Sequence, residues 1–402
     1  MFKIINKTLI GGSLILLITI NLFSLLNFIF NISMARMLSL ANYGILTALI
    51  SIIVIFTVFS ESIQTIISKY STKEKDYGKL KNIIKKSFKK TIPISIFLYF
   101  LFLLAAIPIS HLLEIKYPLL SLIGLMIFAY FLLPITRGVM QGMKKFTSLG
   151  TNMIFEGVIK LVIAIALVSL GWNVYGAIGG VLLGTLGALF LSFFSLRKII
   201  SSKEEQSKTP DIYAYSKPVF ITMVSIILFL SLDIILAKLF FPLDTVGAYA
   251  IASTIAKMIF IGTYPISKAM FPFTTEIKNN KDSQKAFLNS FALIGILILI
   301  AILIMALFPN LIVRLYSGRE ILAASQVLFY LSIAIGLLSF TNLVLFYNLS
   351  RGKTKSFYFL LFFIAFEILL LSIFNHNLLE FSIAFITASA TFLWGAVFLL
   401  NK

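Results

Sequence analysis

Six ionisable side chains sit within otherwise apolar sequence: Glu61, Glu156, Lys160, Asp233, Lys257 and Glu367. A charge at membrane depth costs about 2.5–3.5 kcal/mol on insertion scales, so such groups face a protein interior or an aqueous cavity. Glu156 and Lys160 are four residues apart, which places them on one helix face. They can form a self-satisfied pair, or a cavity-facing pair that exchanges partners. Lys257 has no helical partner nearby in sequence, and Asp233 on the preceding apolar run is its best candidate. Left unpaired, Lys257 would bind anions. Arg36, Arg137, Lys238 and Lys268 lie nearer the ends of apolar runs, and Arg36 and Lys238, which match across the two halves, can snorkel to the interface.

Those groups must be held by membrane-spanning elements. The chain has 402 residues, 59% of them apolar by type, and only 12% are charged. Twelve runs of bilayer-crossing length are expected at 9–33, 43–67, 91–113, 118–139, 149–171, 174–196, 218–241, 247–269, 286–308, 321–347, 357–375 and 379–400. The runs are too long and too evenly apolar for barrel strands, so the expected fold is all-α and polytopic.

Charge sets the orientation. Net charge is +19, which on a soluble chain would suggest nucleic acid. Here 27 of the 34 Lys and Arg fall in the tails and in alternate gaps, while the opposite gaps hold Arg36, Lys116, Lys238, Arg314 and Arg319. The positive-inside rule then puts both termini in the cytoplasm, and an even number of spans agrees. Met1–Lys7 resembles a signal n-region, but the run behind it is too long and lacks a cleavage site, so it reads as a retained first helix.

The stretch 69–90 carries Leu80, Ile83, Ile84 and Phe88 at helical spacing, surrounded by Lys79, Lys81, Lys85, Lys86, Lys89 and Lys90. That pattern predicts an interfacial helix resting on anionic lipid, with 73–90 as the lipid-contacting segment. The polar stretch 201–216 reads as a cytoplasmic linker between a bundle at 1–200 and a second at 217–402. The halves resemble each other. Tyr43-Gly44 opens the second span and Val246-Gly247 the eighth; Gly142 precedes Glu156 as Gly352 precedes Glu367. Two parallel six-helix repeats are the implied arrangement. Gly176, Gly180 and Gly184 give the sixth span a face for close helix packing. Pro134 and Pro265 should kink their helices.

Other chemistry finds little support. The chain has no cysteine. His111 and His376 sit at helix ends, each with one carboxylate (Glu114, Glu380) within a turn, which falls short of a metal set. Phosphate-binding loops and hydrolase motifs are missing, and neither cofactor nor enzymatic activity is expected.

The junction Ala35-Arg36-Met37-Leu38-Ser39-Leu40-Ala41-Asn42-Tyr43-Gly44 resembles the R-x-L-G-x-x-x-Y-G junction of polysaccharide and oligosaccharide flippases. Arg137-Gly138-Val139-Met140-Gln141-Gly142, followed by Asn152, Glu156 and Lys160, resembles their RG-x-x-QG region. Ser39 departs from the Gly usual there. These flippases belong to the multidrug/oligosaccharidyl-lipid/polysaccharide exporter superfamily. The resemblance implies six plus six helices around a central cleft, alternating access, and a lipid-linked glycan carried on a phosphate or diphosphate. Arg36, Arg137, Lys160 and Lys257 are the candidates for that anionic headgroup. Glu61, Glu156, Asp233, Lys238 and Glu367 are candidates for gating or for coupling to H+ or Na+. The expected form is a monomer in the cytoplasmic membrane. A drug antiporter of the same superfamily is the alternative, disfavoured because the first span has no carboxylate to attract cationic drugs. A membrane glycan polymerase or ligase is a third, disfavoured by outer gaps of only about 2–12 residues.

Overall fold

The computed structural model describes residues 7–207, 217–276, 280–352 and 357–400, all of them helix, turn or coil. Residues 1–6, most of the 201–216 linker and Lys402 lie outside the described residues. The helices are α1 (Lys7–Met37), α2 (Leu40–Val54), α3 (Thr57–Lys73), α4 (Tyr77–Leu112), α5 (Tyr117–Gly124), α6 (Met126–Gly142), α7 (Phe146–Leu167) and α8 (Asn173–Ser195). Then come α9 (Arg197–Ile200), α10 (Lys217–Phe240), α11 (Leu243–Glu276), α12 (Asn280–Leu307), α13 (Pro309–Ser317), α14 (Leu322–Ser350), α15 (Leu360–Ile373) and α16 (Leu378–Leu400).

Among the described residues nine helices are long and apolar enough to cross a membrane, or ten if the bent pair α2–α3 forms one span. One of the nine is a 50-residue stretch, Phe146–Ser195. It divides where Gly171 takes φ 87°, a left-handed conformation that glycine adopts without strain. The shorter apolar helix Phe357–Ile373 adds another segment. Divided and joined in this way, the helices match the twelve runs read from the sequence. Lipid-facing positions are large and bare: Phe97, Leu104, Leu299, Phe362 and Trp394 are all exposed. Inside, Ser and Thr hydroxyls fold back onto carbonyls of the preceding turn, as Ser62 does to Val58 and Ser389 to Phe385. No water is needed to satisfy these hydroxyls.

Contacts divide the chain into two compact units, Met1–Leu38 with Phe56–Tyr215, and Ser39–Ile55 with Ser216–Lys402. Within the first, the α5–α6 span is the core, 67% buried, with α6 packed by α3, α4 and α8. Within the second, α14 holds the same place, 72% buried, packed by α11, α12 and α16. Each is the fourth span of its half. The third spans, α4 and α12, are each only 17% buried. This recurring burial order is the structural trace of duplication, although the first spans differ, at 17% for α1 and 44% for α10.

Two expectations need correcting. First, 39–55 belongs to the second unit rather than to a 1–200 bundle. The second span bends by 40° between α2 and α3, and α2 lies on α11. Glycine makes that approach possible: a Cβ on Gly44 would meet the Gly247 backbone, and one on Gly247 would strike Leu40 O. Tyr43 and Tyr316 hydroxyls, 3.0 Å apart, add a buried hydrogen bond. Second, 77–90 is no separate interfacial helix. It is the start of α4, continuous through Pro93 to Leu112. Its apolar face (Leu80, Ile83, Ile84) is buried by protein rather than lipid. The cover includes α9 and the chain after it, and Phe88 packs on Phe193 at 5.7 Å. Pro134 and Pro265 lie within helices that continue through them. The α8 glycine face packs as expected: Gly180 sits against Ala164, and Gly184 against Glu156 O and the Lys160 Cβ.

Candidate functional site

In the first unit the ionisable groups converge on α6 and α7, with α8 and α1 beside them. Arg137 on α6 donates through Nη2 to Glu156 Oε2 at 2.6 Å and through Nε to Asn152 Oδ1 at 2.8 Å. Both charged side chains are 12% exposed. Asn152 donates to Ala188 O at 2.7 Å, and Thr185 donates to Glu156 Oε1 at 3.0 Å, tying α8 into the same network. Lys160, one turn beyond Glu156, does not take it as a partner. Its Nζ donates to Asn27 Oδ1 on α1 at 2.7 Å and lies 4.1 Å from the Phe30 ring centre. The expected Glu156–Lys160 pair is therefore replaced by Arg137–Glu156. A carboxylate accepting from a guanidinium and a hydroxyl on neighbouring helices is better satisfied than by a lysine on its own helix.

Two cations and one anion remain in this cluster, and Lys160 is the cation without an ion-pair partner among the described residues. The groups in direct contact with it are an amide oxygen and a ring face, both neutral, while Glu156 acts on it only through its field. A neutral cradle holds an ammonium in place without cancelling its charge.

The second unit is built differently. Asp233 on α10 is fully buried and accepts from Lys257 Nζ at 2.8 Å, Ser253 Oγ at 2.6 Å and Tyr249 Oη at 3.4 Å, all on α11. The Asp233–Lys257 pair expected from the sequence thus forms, with two hydroxyls added. Glu367 on α15 is fully buried within electrostatic reach of both. Neither of its carboxyl oxygens has a hydrogen-bond partner among the described residues. Counting back from Gly352 as from Gly142 puts Tyr347 where the other repeat has Arg137, so Glu367 lacks the arginine that Glu156 enjoys.

The remaining candidates are not drawn into either cluster. Arg36 is exposed at the end of α1 and Glu61 is exposed on α3. Lys238 is buried near the end of α10. His376 pairs with Glu380 at 3.1 Å, and no metal-holding group of three His, Cys, Asp or Glu occurs among the described residues. Sequence reasoning missed Asn27, Thr185, Ser253 and Tyr249 as members of these networks. Asn27 was visible as an amide in an apolar run. Asn152, four residues before Glu156, was on the same face.

A family model described as "Polysaccharide biosynthesis protein" matches residues 10–278. The chain belongs to this polysaccharide biosynthesis family. That match contains every residue of the Arg137–Glu156–Lys160 network and the Asp233–Lys257 pair; Glu367 lies beyond it. A relative is MJ1375 of Methanocaldococcus jannaschii, called an uncharacterised membrane protein, 26% identical over 279 residues, which are 63% of this chain. The chain spans 64% of that relative's length. Solved structures place the family member in a wider fold group. It is similar to an inward-facing multidrug resistance MATE family transporter of the MOP superfamily, with TM-score 0.75, 14% identity, and 94% and 95% of the two chains covered. It is similar also to the lipid II flippase MurJ in an inward closed conformation, with TM-score 0.73, 15% identity, and 97% and 88% covered. A Pyrococcus furiosus MOP superfamily transporter, described with reversed binding-pocket polarity, aligns at TM-score 0.55 and 15% identity. At these identities the likeness concerns the fold. The protein is a multi-pass membrane protein of the polysaccharide biosynthesis family.

Proposed function

We propose that this protein moves a lipid-linked oligosaccharide or polysaccharide precursor across the cytoplasmic membrane by alternating access, with both termini cytoplasmic. One observation carries the reading: the first unit keeps an excess cation, Lys160, at membrane depth in a neutral cradle of Asn27 and Phe30. Such a charge is costly unless it meets a counter-ion during the working cycle. A phosphate or diphosphate on a lipid carrier supplies that counter-ion while its tail stays in hydrocarbon. Arg137, aligned by Asn152 and by Glu156 one turn before Lys160, is the second contact, and exposed Arg36 at the outer end of α1 is a last contact on exit. Lys257 is committed to Asp233, so its part is secondary. Exposed Lys85, Lys86, Lys89 and Lys90 hold the start of α4 near anionic lipid.

Coupling to H+ or Na+ is assigned to the second unit. An ionised carboxylate with no partner is expensive to bury, which suits Glu367 to carry a proton or a cation. Asp233, Lys257 and Lys238 are the groups that would answer a change there, while Glu61 and Glu156 are the weaker coupling candidates. The test is reconstitution: proteoliposomes should move a fluorescent lipid-linked glycan between leaflets faster than protein-free vesicles. Equal rates would overturn the reading. Resistance to cationic drugs on overexpression would favour the antiporter instead, and glycan elongation by purified protein would favour a polymerase. Flipping that persists after both ion gradients are collapsed would remove the coupling role.

A further inference from the structure

The second unit also has a cavity whose lining includes none of its buried charges. It opens where α10 ends and α11 begins, beside the start of α14 and the turn between α15 and α16. Its volume is about 680 Å³, within the range of small-molecule sites. These helix ends belong to the lysine-poor gaps, which the positive-inside rule places outside.

The lining has two characters. Phe241 and Tyr330 supply aromatic surface, and Phe241 is held edge-on by Phe381 with centroids 5.3 Å apart. Thr245, Gln326 and the Tyr330 hydroxyl supply hydrogen-bonding groups that make no hydrogen bond within the described protein. The imidazole and the amide at the α15–α16 turn are already engaged. His376 and Asn377 both bind Glu380, through His376 Nδ1 at 3.1 Å and Asn377 Nδ2 at 3.0 Å. Asp244 and Glu380 occupy the first turns of α11 and α16, where a bound anion would otherwise be favoured. The ligand that fits is polar, uncharged and flat-faced.

We propose that this cavity binds a neutral sugar ring, its C–H face on Phe241 and Tyr330 and its hydroxyls on Thr245 and Gln326. The proposal deepens the glycan reading and rests on it for relevance, since the sugar would be met on the side where a translocated glycan emerges. An aromatic face beside an amide matches the amphipathic character of a pyranose. A phosphate or a cationic drug would find no complementary charge.

The experiment uses the full-length protein in nanodiscs of neutral phospholipid, with maltose and N,N′-diacetylchitobiose as probes. Saturation-transfer NMR should show enhancement of ring C–H protons for at least one sugar. Gln326→Leu, an exposed side chain whose loss leaves the core intact, and Tyr330→Ala should each weaken binding about tenfold. No enhancement with either sugar, or equal enhancement in wild type and in Gln326→Leu, overturns the proposal. Flip assays on the same samples separate the sources of the sugar. Slowing by Gln326→Leu of glycan-bearing carrier but not bare carrier phosphate assigns the site to cargo. Unchanged flipping with lost sugar binding assigns it to a bilayer glycolipid. Sugar binding without any flipping by wild type would sink the flippase reading and leave the site standing; flipping without sugar binding would do the reverse.

Discussion

Replacing Glu156 with Gln keeps the shape of the side chain and removes its charge. Arg137 is then left 12% exposed with only Asn152 Oδ1 and a neutral amide oxygen to face. Removing one partner of a buried pair typically costs about 3–5 kcal/mol. The retained amide contacts reduce this to about 2–3 kcal/mol by restoring part of the hydrogen bonding. Arg137→Gln should cost a similar amount, because Glu156 keeps only Thr185. The double variant should cost about 1–2 kcal/mol rather than the sum, since no unpaired charge remains. The coupling expected is therefore about 3 kcal/mol, far above the roughly 0.5 kcal/mol scatter of independent sites. Reversible unfolding in mixed micelles, titrated with SDS, measures all four proteins on one scale. Additive costs within that scatter would refute the pairing and return Glu156 to Lys160.

Lys257→Met should destabilise the second unit by about 3–5 kcal/mol in the same titration, because Asp233 is fully buried, and Lys257→Met with Asp233→Leu should recover most of it; no recovery would mean the two do not pair. Gly247→Ala puts a methyl into Leu40 O and should cost about 1–3 kcal/mol by forcing α2 off α11; unchanged stability would disprove the close crossing. At the start of α4, Glu204 accepts from Lys85 Nζ and Asn82 Nδ2, each at 2.7 Å, and these bonds, with nearby Lys81, hold its carboxyl below the usual range. A lowered folded-state value stabilises the contact above the unfolded value of about 4.3 and loses that contribution as pH falls through the folded value. A nitroxide on Lys203→Cys, the sole thiol in a cysteine-free chain, should be immobile at neutral pH and loosen only below about pH 4; equal mobility at both would exclude the clasp.

Much of this arrangement was legible before any coordinates. Span positions followed from run length, and the Asp233–Lys257 pair followed from matching opposite charges on adjacent spans. The mispairing of Glu156 has a physical cause. Spacing along one helix reveals which groups can meet locally, but Arg137 reaches Glu156 across a helix interface 19 residues away, and Asn27 reaches Lys160 across 133. The amphipathic face of 77–90 failed for another reason. Its pattern reports that one side is covered, and lipid and protein leave the same pattern. The break between α2 and α3 has no proline or glycine at Ile55–Phe56 to announce it. Packing on α11 draws α2 away, and only the Tyr43-Gly44 and Val246-Gly247 likeness hinted at where the two helices touch.

The most direct measurement is the initial flip rate of a lipid-linked glycan in proteoliposomes containing Lys160→Met or Lys160→Arg. Loss of a charge-assisted contact worth about 1.5–3 kcal/mol predicts a fall of about 10- to 100-fold for Lys160→Met, with most of the rate kept by Lys160→Arg. Wild-type rates in correctly folded Lys160→Met would show that this membrane-depth ammonium never meets the cargo.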